Sequence, residues 1–315
     1  MSRVVVAGGA GFLGSHLCDR LVERGDAVVC LDDLSTGSTD NVAHLLGSDR
    51  FRLVVTDVSE KVELGDDAKV DAVCHLASPA SPPAYLGRPL ETLAVGSEGT
   101  RRLLELARVH DARFLLASTS EVYGDPEVHP QVESYRGNVD PTGPRSVYDE
   151  AKRFAEAITM AMRRAHGVNV GIARIFNTYG PRLAPGDGRV VSNFVVQALR
   201  QEPLTVYGDG TQTRSLCFVD DQIAGLLALL DSSLTGPVNI GNPDERSMLD
   251  LARFVLEVTG SPSQIVLLPL PTDDPTRRCP DITLAQTELG WSPRVGLREG
   301  LEQTIAYFAE RVRSE

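Results

Sequence analysis

The sequence predicts a doubly wound parallel α/β fold followed by a smaller α/β region. Three observations carry this. The first half alternates short apolar runs with amphipathic stretches. The runs are apolar or β-branched throughout, as a parallel sheet covered on both faces requires. The first run ends in a glycine turn that opens a helical pattern.

Residues 4–7, 27–31, 51–55, 72–76, 114–117 and 168–172 read as buried strands. Residues 12–23 place Leu13, Leu17 and Leu21 on one helical face. Residues 90–109 place Leu93, Leu103, Leu104 and Leu106 inward on a further helix. A further helix is expected over 149–166. Repeated strand–helix order implies crossover connections and one twisted sheet. After Asn177 proline and glycine become frequent, as in Gly180-Pro181 and Gly241-Asn242-Pro243. Helical patterns at 190–200, 247–259 and 297–311 are separated by longer loops. The expected division is a dinucleotide-binding domain over 1–177, with segments near 211–235 returning to it, and a substrate-binding region over 178–315.

The chain has 315 residues, 42% hydrophobic and 23% charged, enough apolar material for a sizeable core. Its net charge of −12 and the lack of a basic stripe argue against a nucleic-acid partner. Neither a signal-peptide pattern nor an apolar run of membrane-spanning length is seen. The five cysteines form no CxxC pair, and the six histidines have no ligand spacing. No metal and no membrane association are expected, and the odd cysteine count fits a reducing, cytoplasmic compartment.

Gly8-Gly9-Ala10-Gly11-Phe12-Leu13-Gly14 follows the first strand. Gly8 permits a tight turn, Gly11 lets the backbone approach a pyrophosphate, and Gly14 lets helix and strand pack closely. The helix N-terminus then faces the anion. Glycine turns alone are weak signals; this one stands between a strand and a helix, the context a dinucleotide needs. Asp32, at the end of the second strand, would accept hydrogen bonds from the adenosine ribose and repel a 2′-phosphate, favouring NAD. Asp57 and Val58 after the third strand and Leu76 after the fourth complete the expected cofactor set with Phe12 and Leu13. Asp57 reads almost as well as a plain loop acid.

Tyr148 and Lys152 are four residues apart and so share a helix face. A nearby lysine and a nicotinamide cation would lower the tyrosine pKa and make it a usable base. The pair follows Ser118-Thr119-Ser120 at a strand end. On its own, YxxxK is often an amphipathic surface pair.

The glycine turn, the Ser118–Ser120 strand end and Tyr148-x-x-x-Lys152 together resemble the extended short-chain dehydrogenase/reductase family, whose members carry a Rossmann-type fold and modify nucleotide sugars. The resemblance spans essentially the whole chain, including 174–181 and 210–215. Within that family, 77–83, 118–126 and Asp273-Asp274-Pro275 leading into Arg278-Cys279-Pro280-Asp281-Ile282 are similar to UDP-glucuronic acid decarboxylases. The related 4,6-dehydratases carry Thr-Asp-Glu where this chain has Thr119-Ser120-Glu121, and their aspartate expels a hydroxyl. Ser120 cannot do so, which leaves Glu121 as a base or electrostatic guide and carbon dioxide as the leaving group.

The resemblance implies oxidation at C4 by bound NAD, loss of carbon dioxide from the resulting β-keto acid, protonation at C5 and re-reduction at C4. It implies Tyr148 as redox base and acid, Lys152 on the nicotinamide ribose and Thr119 on the C4 oxygen. Ser120 and Glu121 would face C5 and the carboxylate, with Tyr85 on the carboxylate. Arg278 would lie near diphosphate and uronate, and Asn177, Arg189 and Arg214 would serve the UDP moiety. Arg145 divides evenly between substrate contact and surface charge. A homodimer is implied, built from the helices at 90–109 and 149–166. Gly96 stands where the family usually has asparagine, and an interior glycine is expected to loosen its helix by roughly 1 kcal/mol. Two alternatives stay open: a nucleotide-sugar 4-epimerase or 4,6-dehydratase, and a non-catalytic NAD-binding sensor.

Overall fold

The computed structural model describes residues 1–65, 68–269 and 277–314; the motif at Asp273-Asp274-Pro275 lies outside them. Seven parallel strands form one sheet. Six of them are β1 (Arg3–Ala7), β2 (Ala27–Asp32), β3 (Phe51–Val55), β4 (Ala72–His75), β5 (Arg113–Thr119) and β6 (Val170–Ile175). The spatial order is Pro237–Ile240, β6, β5, β4, β1, β2, β3. Chain direction across the sheet reverses between β1 and β4, where ligands bind in open parallel sheets.

Alternate residues of β1 explain why its run is apolar throughout. Val4 and Val6 enter one core with Leu17 and Leu21 of helix Phe12–Glu23. Val5 and Ala7 enter the opposite core with Leu103 and Leu104. Both faces are covered, so neither parity of side chain meets water.

The chain returns to the sheet late. Helix Val219–Leu230 packs against β5 and β6, and Pro237–Ile240 then pairs with β6. The apolar runs did not single out this last strand, because it has only four residues and begins with proline, a residue confined to strand starts and edges. Here it occupies one sheet edge. The β6 strand starts at Val170 rather than 168, and β5 extends to Thr119 rather than 117. The remaining short strands form three small sheets: Glu245–Ser247, Thr213–Ser215 and Arg277–Arg278 in one, Ile265–Leu268 with Leu204–Tyr207 in another, and Cys217–Phe218 with Thr178–Tyr179 in the third.

The expected single helix over 90–109 is three pieces. Pro89–Ala94 and Thr100–His110 are α-helical, and Val95–Gly99 between them is a π-turn. The inserted residue slips the helical phase, so Leu93 points outward and is 38% exposed while Leu103 and Leu104 are fully buried. Leu106 is half-buried.

Gly96 in that turn does not loosen the packing. A β-carbon there would lie 2.7 Å from the Ala151 Cβ and 2.8 Å from its carbonyl oxygen. The turn therefore touches helix Ser146–His166 directly, a closeness that only glycine permits. Thr100 Oγ1 fixes the turn by donating to the Gly96 carbonyl at 2.8 Å, and His75 Nε2 meets the same hydroxyl at 3.1 Å.

Candidate active site

A cleft of ≈ 830 Å3 opens along the C-terminal ends of the central strands. Every residue singled out above for cofactor, substrate or catalysis lines it.

At one end the glycine turn follows β1. Gly8 adopts φ +79° and donates its N–H to Leu31 O at 2.7 Å. A β-carbon on Gly14 would fall 1.9 Å from Gly8 O, so the turn itself demands glycine there. A β-carbon on Gly11 would meet protein only at Gly8 O, 3.2 Å away. Its bareness is therefore better explained by the cleft, into which the N-terminus of helix Phe12–Glu23 opens with no side-chain cap. Asp32 accepts from Ala10 N and Leu34 N, each at 2.9 Å, which folds the turn and the following loop around its carboxylate. Burial raises its pKa against the pull of those amides. Each oxygen keeps a lone pair for ribose hydroxyls. Asp57 is held by Ser59 through its N–H and its hydroxyl, both at 2.7 Å. With Phe12, Leu13, Val58 and Leu76 on the walls, this end fits a dinucleotide: a bare helix N-terminus for pyrophosphate and a carboxylate beyond it for the ribose.

The middle holds Tyr148 and Lys152, on the first turns of helix Ser146–His166. The Lys152 ammonium donates to Ala117 O at 2.9 Å and stands 5.8 Å from the Tyr148 ring centre. Burial pulls Lys152 down to about 8, leaving it largely charged at neutral pH. The protein groups alone do not lower the Tyr148 pKa; the expected lowering needs the nicotinamide cation as well. Burial first, and then the negative charge of Glu121, push the phenol up; a hydrogen bond with Thr119 opposes them.

At the far end Thr119, Ser120 and Glu121 leave β5. Thr119 Oγ1 caps the short 3₁₀ helix Ser120–Tyr123 by accepting from Glu121 N at 3.2 Å. Glu121 lies between two guanidiniums. Arg278 Nη1 is 3.0 Å from one carboxylate oxygen and Arg278 Nη2 donates to the other at 3.1 Å. Arg145 Nη2 adds a third bond at 2.9 Å. Burial would raise this carboxyl, but Arg278 and then Arg145 overcome it and hold it at about 2. In this state Glu121 is a fixed negative charge rather than a base, which narrows the expected role. Arg278 also donates to Ser120 Oγ at 3.2 Å and to Gly124 O at 3.1 Å, and is 1% exposed. It belongs to the Ser120–Glu121 end of the cleft.

Tyr85 is buried with its ring stacked on that of Tyr148, centroids 5.2 Å apart and planes within 9°. Its packing thus fixes the Tyr148 ring, a role the sequence did not suggest. Asn177 is half-buried on the cleft wall. Arg189 is paired with Asp187 at 2.7 Å, and Arg214 donates to Thr213 O at 2.8 Å. Both line the part of the cleft reached by the C-terminal region.

Among the cleft residues not singled out in the sequence are Tyr307, Arg311 and Arg182. Tyr307 and Arg311 are four apart on helix Leu297–Ser314, with the Arg311 guanidinium 3.7 Å from the Tyr307 ring centre. That spacing was legible, but nothing local linked the last helix to the cleft. Arg182 pairs with Asp19 at 2.7 Å from a left-handed backbone, φ +67°.

A parallel sheet with a glycine turn at its crossover and a Tyr-Lys pair beyond β5 defines a dinucleotide-dependent enzyme of nucleotide-sugar type. The chain belongs to the NAD dependent epimerase/dehydratase family, whose pattern matches residues 4–241. It is 54% identical over 310 residues to UDP-glucuronic acid decarboxylase 2 of Arabidopsis thaliana, covering 98% of this chain and 69% of that one. It is 51% identical over 310 residues to UDP-glucuronic acid decarboxylase 1 of Xenopus tropicalis, covering 98% and 73%. Among solved structures, UDP-glucuronic acid 4-epimerase from Bacillus cereus, in complex with UDP-glucuronic acid and NAD, superposes with a TM-score of 0.85 at 29% identity, covering 98% and 99%.

Proposed function

We propose that this chain is an NAD-dependent decarboxylase that converts UDP-glucuronic acid to UDP-xylose. The carrying observation is the pairing of Tyr148 and Lys152 with a reactive end that has Ser120 in place of an acid and two guanidiniums on Glu121. Identity above half with UDP-glucuronic acid decarboxylases over nearly the whole chain supports the same reading.

The glycine turn, Asp32 and Lys152 would hold NAD, which when bound supplies a reversible hydride acceptor for C4. Tyr148 takes the proton from the C4 hydroxyl as that carbon becomes a ketone. With NAD bound, the positive charge of its nicotinamide would add to that of Lys152 against the burial that otherwise keeps the phenol protonated. Thr119 hydrogen-bonds the C4 oxygen. The C5–C6 bond then breaks, carbon dioxide leaves, and the electron pair enters an enolate whose oxygen Thr119 and the protonated Tyr148 stabilise. A proton adds to C5, and Tyr148 returns its proton to the C4 oxygen as the ketone is reduced. Arg145 and Arg278 are the cations of the reactive end and hold the uronate carboxylate in place. Arg189, Arg214 and Asn177 serve the UDP moiety.

The working unit is a homodimer. Leu90, Leu93 and Phe154 are exposed on the packed helices Pro89–Ala94 and Ser146–His166, an apolar surface suited to a second copy. A cytoplasmic location suits five free, buried cysteines. Among the described residues no helix is long and apolar enough to cross a membrane.

Incubating the purified protein with UDP-glucuronic acid and following products by NMR tests the reaction. UDP-xylose with equimolar carbon dioxide is expected. Conversion to a C4 epimer without carbon dioxide would replace this reading with the epimerase one.

A further inference from the structure

Arg278 is only as well placed as the backbone beneath it. It ends a two-residue strand, Arg277–Arg278, which pairs with Thr213–Ser215. The Ser215 hydroxyl donates to Arg278 O at 3.0 Å. The chain just beyond is held by Gln131, a fully buried residue of the segment between the 3₁₀ helix Ser120–Tyr123 and helix Ser146–His166. Gln131 N donates to Cys279 O, and Asp281 N donates to Gln131 O, each at 2.9 Å. The side chain completes the clamp: Oε1 accepts from Cys279 N at 2.9 Å, and Nε2 donates to Val128 O at 2.8 Å. Both side-chain partners are backbone groups of fixed polarity, so the amide fits in one orientation only. The peptide group joining Arg278 to Cys279 is thus fixed at both poles, its carbonyl by Ser215 and its N–H by Gln131. Gln131 is fixed in turn by Asn239, also fully buried, on the late strand Pro237–Ile240. Asn239 Nδ2 donates to Gln131 O at 2.9 Å and to Asp281 O at 3.1 Å, and its Oδ1 accepts from the Tyr123 hydroxyl at 2.7 Å. Tyr123 ends the 3₁₀ helix that carries Glu121. One buried amide therefore joins that helix to the segment that carries Arg278.

We infer that Gln131 is the positioning residue of Arg278: by holding the Cys279 N–H it sets where the guanidinium stands relative to Glu121 and to the sugar carboxylate, and Asn239 ties that register to the Glu121 helix. This rests on the proposed uronate substrate. Gln131 does not line the cleft, so it acts through Arg278 and carries no step of the reaction itself. A buried N–H without an acceptor is costly, so without the Gln131 amide the peptide turns toward another partner. Turning it swings the Arg278 side chain that leaves the same backbone. Guanidinium–carboxylate bonds depend on orientation as well as charge, and bonds in a buried network weaken together. The effect therefore falls on the ligand group that Arg278 holds and spares the rest of the nucleotide sugar.

The test is calorimetric binding of UDP-glucuronic acid and of UDP-glucose to the NAD-loaded enzyme, for the native protein, Gln131→Leu and Gln131→Glu, each also combined with Arg278→Lys. Gln131→Leu removes the acceptor at nearly constant volume. UDP-glucuronic acid affinity is expected to fall by about 10-fold, the scale of one weakened hydrogen bond to a charged group, while UDP-glucose affinity holds. Gln131→Glu keeps the acceptor and, as the neutral acid that burial favours, the donor to Val128 O, so it should restore the native preference. In the Arg278→Lys background Gln131→Leu should have no further effect, because both changes act on one contact. If Gln131→Leu does not fold, as judged by loss of bound NAD, Gln131→Asn reads the same ratio, since its amide stops one methylene short of the Cys279 N–H. The inference fails if both ligands weaken together, if the preference stays native, or if the loss persists without Arg278. Failure of UDP-glucuronic acid to bind the native enzyme, with UDP-glucose bound, would overturn the substrate reading first and the inference with it.

Discussion

The two ends of the cleft are assembled in different ways. At the cofactor end, Gly8, Gly11, Gly14 and Asp32 come from one β–α–β unit, and their partners are backbone amides and carbonyls of that unit and the loop just after it. At the sugar end, Glu121, Arg145 and Arg278 come from separate segments, with 157 positions between Glu121 and Arg278. The first end is a local backbone shape. The second is a cluster of buried charges that exists only once the chain has folded. Local shape tolerates or refuses a methyl group one site at a time, whereas the charge cluster responds as a unit to any lost partner.

Five substitutions sharpen this contrast. Tyr148→Phe removes the proton carrier common to the opening and closing steps, and kcat should fall by about 10²–10⁴-fold. NAD retention, read by the absorbance of the released cofactor after denaturation, should not change. Native-like turnover would take Tyr148 out of the mechanism.

Glu121→Ala takes the shared carboxylate from the buried Arg278 and the half-buried Arg145. Unfolding in urea should show a loss of about 3 kcal/mol, the scale for breaking a buried pair. The same acid predicts a pH dependence. Its folded pKa, about 2, lies below its usual value, so its stabilising contribution is complete above ordinary carboxylate pKa values and is lost as pH falls toward 2. Asp149 has the opposite sign: raised to about 7 by burial and then by the charge of Glu121, it favours the fold at low pH, and that contribution is lost as pH rises through about 7. Comparing urea midpoints from pH 3 to 9 for the native protein and Asp149→Asn isolates the second limb, and identical curves would refute it.

Gly96→Ala forces a β-carbon against Ala151 and should cost about 1–3 kcal/mol, as overpacking does. A melting temperature equal to or above the native one would show that the π-turn can move aside. Gly11→Ala is expected to be the mildest. The turn has room for the methyl group, so the fold should survive, while NAD binding weakens by about 10-fold, or ~1.4 kcal/mol. Equal NAD affinity in a fluorescence titration would mean that the pyrophosphate does not approach Gly11.

The sequence by itself determined the doubly wound sheet, because strands covered on both faces, such as 4–7, must be apolar at both parities. It determined the glycine turn and the Tyr148–Lys152 pair as well, because a β–α turn and an i, i+4 spacing are local geometry. Those motifs also carried the family resemblance. Only the tertiary structure decided the rest. It turned Leu93 outward through a one-residue π-turn that an apolar pattern does not record. It made Gly96 a contact with Ala151 rather than a weak point in a helix. It fixed the charge states of the site: burial and then Glu121 raise Tyr148, and two distant arginines keep Glu121 ionised. Periodicity and spacing are properties of neighbouring residues, whereas desolvation and charge pairing depend on which distant segments the fold brings together.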